Sequence, residues 1–392
     1  MQRIYGLIWP IVLSIVLPLV AAWLAYPETH LPPGFGVFPP LFVEEPPGFN
    51  LIVFIALALV EAAFYLFLLF PQWFGFTIPL PPPKPTPAAL PVWFWIGSVL
   101  TLFFWWLMWA RVTPFGDLVY YAFTPLWWGF ILVLDGLTYR RSGGYSLLAA
   151  RPKTLFISAV ISIVGWLYFE YFDYFTLGNW YYPNTADGVM PLSHGTIVLL
   201  FLIAYTTVWP AIFEWYTLLN TFPGLASRYS NGPKIVLSGG LLLWGGLLLI
   251  FAVVFLPYPL FWAMWVGPLA IVSGQLIRKN IWNPLTPMAE GNWGPALLVA
   301  IGSLCNGFFW ELWNWGSNAN PDIPPTNPNY WIYDIPYVNV IHIFAEMPIL
   351  GYIGYMPFGI LVWVVFIWFG KVFGFDIELL KNDSTSSGSA RR

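Results

Sequence analysis

Apolar runs long enough to cross a bilayer alternate with short polar stretches along almost the whole chain. They cover residues 5–26, 50–71, 93–112, 117–139, 154–172, 195–218, 235–256, 259–277, 295–315 and 338–370. About twenty apolar residues in a helix match the thickness of a hydrocarbon core. The pattern therefore predicts an all-α polytopic membrane protein of about ten transmembrane helices. The last run is long, and Pro348 and Pro357 can divide it into a re-entrant piece and a span, which would change the count by one.

Composition agrees with that reading and removes other classes. The chain has 392 residues, of which 59% are hydrophobic and only 8% charged, against about a quarter charged in soluble proteins. The 25 tryptophans suit belts at headgroup depth, the ordinary explanation for most of them. One cysteine, Cys305, rules out an intrachain disulfide and a multi-thiolate metal site. Three histidines are too few for two bis-histidine haems. No nucleotide-binding loop, dinucleotide fingerprint, hydrolase elbow or zinc-finger spacing is present, and no basic patch suggests a nucleic-acid partner. No metal is expected, and no cofactor can be named. The first 26 residues hold one arginine and an apolar run longer than a signal-peptide core, without a small-residue cleavage site. They read as an uncleaved first span.

Charge sets the expected orientation. With the N-terminus in the cytoplasm and ten crossings, fourteen of fifteen basic residues fall on the inner side, and only Arg111 falls outside. Basic loops are retained in the cytoplasm, so the expectation is a multi-pass protein of the cytoplasmic (inner) membrane with both termini inside. The outer loops, 29–50, 175–194 and 316–337, are rich in Pro, Asn, Trp and Tyr and are expected to form ordered caps.

Beyond a Pro-rich linker at 79–91 the sequence repeats. Trp127, Gly129, Gly136 and Arg140 match Trp265, Gly267, Gly274 and Arg278, and Glu170 and Glu311 follow the arginines by 30 and 33 residues. Each glutamate leads an E-x-x-[D/N] pair, a W-x-Y segment and a histidine. The expected organisation is two N-terminal helices and linker (1–91), a first four-helix repeat (92–233), a second (234–375) and a disordered cytoplasmic tail (376–392). An even number of spans per unit makes the repeats parallel, related by an axis along the membrane normal.

Candidate chemistry lies in the repeated segments. Glu170 and Asp173 share one helix face, as do Glu311 and Asn314. Either they are interfacial groups that hold the following loop, or they are carboxyls desolvated among aromatic rings and able to donate a proton. Trp180 and Tyr182 in the first unit, and Trp331 and Tyr333 in the second, are the candidate substrate-binding residues. His194 and His342 join them, as caps or as binding groups. Glu346, at i+4 from His342 in an apolar run beside Pro348, is a candidate buried acid. Glu61 lies mid-span with no evident partner. Asp135 and Glu214 are expected to pair with Arg140 and Arg228, and the glycines 239, 240, 245, 246, 351 and 354 to serve close helix packing.

The runs F-F-W-E-L-W-N-W, Y-W-I-Y-D-I-P and E-M-P-I-L-G-Y-I-G-Y-M-P-F-G, within 306–359, resemble a group of uncharacterised prokaryotic multi-pass membrane proteins, which imports no activity. More distantly the chain is similar to the integral-membrane lycopene cyclase and carotenoid hydratase group. That similarity implies protonation of a polyene by Glu170, Glu311 or Glu346. The P-x-E-[ED] signature of those cyclases is not found; Glu44 and Glu45 precede prolines instead.

The first functional expectation is thus a membrane protein that binds an apolar lipid or isoprenoid-type molecule at an outer-leaflet site between the repeats, or acts on it by acid catalysis. A non-catalytic subunit docking other membrane subunits is a second reading, and a transporter a third. Membrane lipids are partners in all three.

Overall fold

The computed structural model describes residues 2–41 and 44–381. Its helices are α1 (Gln2–Ala25), α2 (Leu51–Leu69), α3 (Val92–Ala110), α4 (Phe123–Arg141), the single turn α5 (Leu147–Ala150), α6 (Pro152–Asp173), α7 (His194–Tyr205), α8 (Val208–Asn220), the single turn α9 (Pro223–Ala226), α10 (Gly239–Ala252), α11 (Ala263–Arg278), α12 (Gly294–Asn318) and α13 (Tyr355–Phe373). Two short strands, β1 (Trp180–Tyr181) and β2 (Ile332–Tyr333), form an antiparallel pair.

Among the described residues seven helical stretches are long and apolar enough to cross a membrane: Tyr5–Ala25, Leu51–Leu69, Val92–Ala110, Pro152–Thr176, His194–Asn220, Gly294–Asn318 and Ile349–Phe373. The protein is an all-α, multi-pass membrane protein. The other three expected spans are less marked. α10 and α11 have 14 and 16 residues, and α4 carries Asp135 and ends in Arg140 and Arg141.

Two apolar runs are broken where proline requires it. In 195–218 the break falls at Thr206 and Thr207, because Pro210 has no N–H and its ring crowds the carbonyl four residues earlier. Ser162 repairs the gap: its hydroxyl donates to the Tyr205 carbonyl and accepts from Trp209 N at 3.1 Å. The 338–370 run is not one helix. Residues 338–348 form a turn closed by Ile349 N to Ile341 O (3.0 Å) and a His342–Pro348 bridge. A 3-10 turn, Ile349–Gly354, then leads into α13.

Glycines close two helix hairpins. A Cβ on Gly129 would stand 2.7 Å from Thr101 N of α3, and one on Gly274 2.6 Å from Leu243 N of α10. Those backbones touch only because no side chain intervenes. The matched tryptophans pack outward from these hairpins. Trp127 of α4 stacks edge-on against Trp310 and Trp313 of α12, at 5.7 and 4.8 Å between centroids. Trp265 of α11 meets Phe169 of α6 at 4.8 Å. The α3–α4 hairpin is thereby wedged against α12 and the α10–α11 hairpin against α6, within one large buried cluster flanked by two smaller ones.

Loops gather at two ends. At one, Tyr182 N donates to Pro40 O, Asn50 N to Tyr337 O, Asp334 N to Asn179 O and Arg111 Nη1 to Ile323 O, so segments 26–41, 44–50, 174–193 and 319–348 make one cap. At the other, Ala88 N bonds Arg140 O, Thr77 N bonds Asn231 O, and Gly232 N bonds Gly291 O.

Two expectations are corrected here. Arg151 forms ion pairs with Asp376 and with Glu378 (2.7 Å for the latter), and Leu379 is buried. The polar tail therefore does not begin at 376; residues 382–392 lie outside the described residues. The buried Asp135 accepts Trp93 Nε1 at 2.7 Å and Leu148 N at 2.8 Å and neighbours the equally buried Glu214. The expected arginines lie elsewhere: Arg140 is exposed and forms no ion pair among the described residues, and Arg228 donates to Leu69 O. Desolvating a guanidinium to reach this pair would cost more than leaving it at the surface.

Candidate functional site

Glu170 lies on the last full turn of α6, its side chain buried. Its Oε1 accepts from Trp166 Nε1 (2.9 Å), Tyr182 O–H (2.5 Å) and Tyr205 O–H (2.8 Å), and its Oε2 from Trp180 Nε1 (3.3 Å). Trp166 is in place because it sits four residues before Glu170 on the same face. Glu311 of α12 is equally buried. It accepts from Tyr333 O–H (3.0 Å), Tyr355 O–H and Met347 N (3.3 Å). The position four residues before it is Gly307, and the Tyr355 ring fills the space: a Cβ there would lie 2.4 Å from Cδ2. Each carboxyl is thus a hub for aromatic donors, drawn in both cases from the W-x-Y segment (Trp180 and Tyr182 for Glu170, Tyr333 for Glu311) and from the helix that follows (Tyr205, Tyr355).

The residues three positions on have a different task. Asp173 Oδ1 accepts Asn179 N at 2.8 Å and the Thr176 hydroxyl at 3.4 Å. Asn314 brackets Trp331, accepting its N–H at 3.0 Å and donating to its carbonyl at 2.7 Å. Both clamp the backbone that carries the tryptophan and tyrosine. The two segments then meet, with Trp180 opposite Tyr333 and Tyr181 opposite Ile332.

The two rings of aromatics face one cavity of about 280 Å³. Trp166, Trp180, Tyr182 and Tyr205 line it from one half, and Trp310, Trp331, Tyr333 and Tyr355 from the other. Trp166 and Trp310 come within 5.6 Å, centroid to centroid. Exposed Leu57 and Val60 of α2 and Trp262 also line it, so the cavity reaches the outer surface of the bundle. Glu170 and Glu311 stand behind the wall, their carboxyl groups turned to the tyrosine hydroxyls rather than to the space.

Burial, and then the adjacent carboxylates Glu170 and Glu311, push the Tyr182 and Tyr333 hydroxyls well above the usual phenol range. Both therefore remain protonated donors at any physiological pH.

The remaining candidates lie elsewhere. Glu346 is half-buried on the loop before α13, not on a helix, and accepts Tyr330 O–H at 2.7 Å. It does not line the cavity. His342 is exposed on the same turn, its Nδ1 2.9 Å from Glu346 O, and His194 is the exposed first residue of α7. Neither histidine approaches a glutamate side chain of the site, and among the described residues no group of three His, Cys, Asp or Glu gathers to hold a metal ion.

Two contributors, Tyr205 and Tyr355, were not singled out by sequence. They complete the two rings, and each lies at a helix break that pattern alone does not fix. Glu61, whose partner was unknown, accepts Tyr65 O–H at 2.9 Å and lines the cavity.

Comparison with family models, curated proteins and solved structures finds no match for the chain. The site must be read from its own geometry.

Proposed function

We propose that the chain binds an apolar small molecule, of lipid or isoprenoid kind, in the aromatic cavity between its two halves. The observation that carries this reading is the cavity itself. It is walled by tryptophan and tyrosine rings from both halves and is open toward the lipid-facing side at α2. Concave, mostly apolar sites with a few fixed polar groups are the usual form of small-molecule sites. In this reading Glu170 and Glu311 are anchors that fix the orientation of the lining rings, because tyrosine and tryptophan donors already occupy them. Binding is therefore favoured over acid catalysis by Glu311.

The same reading takes the two halves as a tandem, parallel duplication of a four-helix unit. It is supported by the matched glycines that close both hairpins, the matched tryptophans that wedge them, and the matched glutamates. The basic residues gathered at one end favour a cytoplasmic-membrane protein with both termini inside, and the aromatic cap on the outer face. That puts the cavity at the outer leaflet.

Organic extraction of the protein purified in mild detergent, followed by mass spectrometry, tests the reading. An apolar species retained by the native protein and lost from Ala204→Phe, which fills the cavity wall, is the expected result. Identical extracts from both would contradict it.

A further inference from the structure

We infer that the ligand of this cavity is a single-tailed amphiphile bearing a protonated amine, held by Glu61; the inference rests on the binding reading above. Three lining side chains carry a buried polar atom without a partner: Oε2 of Glu61, Oδ1 of Asn179 and Nε1 of Trp331. Two of these are acceptors, and Glu61 alone can bear a charge. It is 6% exposed, and the Tyr65 hydroxyl satisfies only its Oε1.

Among the described residues no lysine, arginine or histidine lines the cavity to balance that carboxylate. A charge among apolar groups needs a counter-charge and a hydrogen-bond donor, and an ammonium supplies both. The surrounding rings favour the same sign. Indole and phenol faces attract cations and repel anions, and tryptophan does so most strongly. Trp166, Trp180, Trp310 and Trp331 line the same space. The lack of basic residues also selects among amines. The phosphate of an aminophospholipid would enter without a partner, so the chemistry fits a simple alkylammonium.

Glu61 sits on α2, which is exposed along most of its length. Leu57 and Val60, one turn before it and beside it, line the cavity while remaining open to the outside. A tail arriving from the bilayer would meet those residues, with its head directed at the carboxylate.

Tritiated dodecylamine and dodecanol, titrated against the native protein in lipid nanodiscs and corrected for empty discs, test the inference. The native protein is expected to hold the amine at least about tenfold more tightly than the alcohol. Glu61→Gln should abolish that preference, chiefly by weakening the amine, and Tyr65→Phe should keep it. Equal affinity of the native protein for amine and alcohol, or a preference that survives Glu61→Gln, overturns the inference and leaves the binding reading intact. Failure of both compounds to bind the native protein overturns the binding reading with it.

Discussion

Trp180 and Tyr333 stand opposite each other across the β1–β2 pair, yet each serves a different carboxylate: Trp180 donates to Glu170 and Tyr333 to Glu311. The pairing of two two-residue strands therefore couples both buried acids. A shift of one segment would pull a donor from its own glutamate and misalign the opposite strand. The cap is the part that sets the shape of the cavity, although it contributes few of the core side chains.

The pairing itself can be trapped. In a Cys305→Ala background, Tyr181→Cys with Ile332→Cys puts two thiols on directly opposed positions, within the Cα separation a disulfide needs. Mild oxidation is expected to protect both from maleimide labelling until reductant is added. Full labelling of both thiols in the folded, oxidised protein would show that the segments do not pair.

The glutamates differ in how much depends on them. Glu170→Leu leaves Trp166, Trp180, Tyr182 and Tyr205 without their acceptor. Each buried unpaired donor costs roughly 1–3 kcal/mol, so a loss of at least about 2 kcal/mol is expected. Glu346→Leu removes one bond, from Tyr330, at a half-buried site and should cost under about 1 kcal/mol. Thermal unfolding followed by tryptophan emission compares them; equal losses would contradict the hub role.

Gly307 is required by the Tyr355 ring. Gly307→Ala puts a carbon 2.4 Å from it and should either displace the Tyr355–Glu311 bond or strain α12, costing about 1–3 kcal/mol. Gly245 has nothing within 4 Å of a Cβ, so Gly245→Ala should be neutral or gain up to about 1 kcal/mol from helix propensity. The reverse order of stabilities would mean that Tyr355 does not occupy this position.

Hydropathy made the class of this fold legible, because a helix that must satisfy its own backbone in lipid declares itself by length and composition. It was less clear at α4, α10 and α11, where short or charge-bearing helices give a weaker signal, and at Thr206 and Val338, where the same apolar run is broken. Pro348 announced the second break, whereas 195–218 was read as one span across Pro210, because whether a proline kinks or ends a helix depends on what repairs the freed carbonyls. Ser162 does this in one case. The order Glu, W-x-Y, His pointed to both aromatic rings, though it gave the histidines the same weight as the tyrosines. A histidine and a tyrosine at a loop end look alike in sequence, and only the chain's return path brings Tyr205 to Glu170 and leaves His194 outside. Glu61 showed as a lone charge in an apolar helix. Nothing in the order of residues says that its helix flanks the cavity.

The central claim is that the space between the two aromatic rings is occupied by an apolar molecule from the bilayer. Photolabelling with a dodecyl diazirine, followed by peptide mapping, tests it most directly. Labels concentrated in 166–182 and 331–358, competed by unlabelled chain and lost in Ala204→Phe, are the predicted result. Labels spread only over lipid-facing positions such as Leu102 and Leu241, and unchanged in that variant, would contradict it.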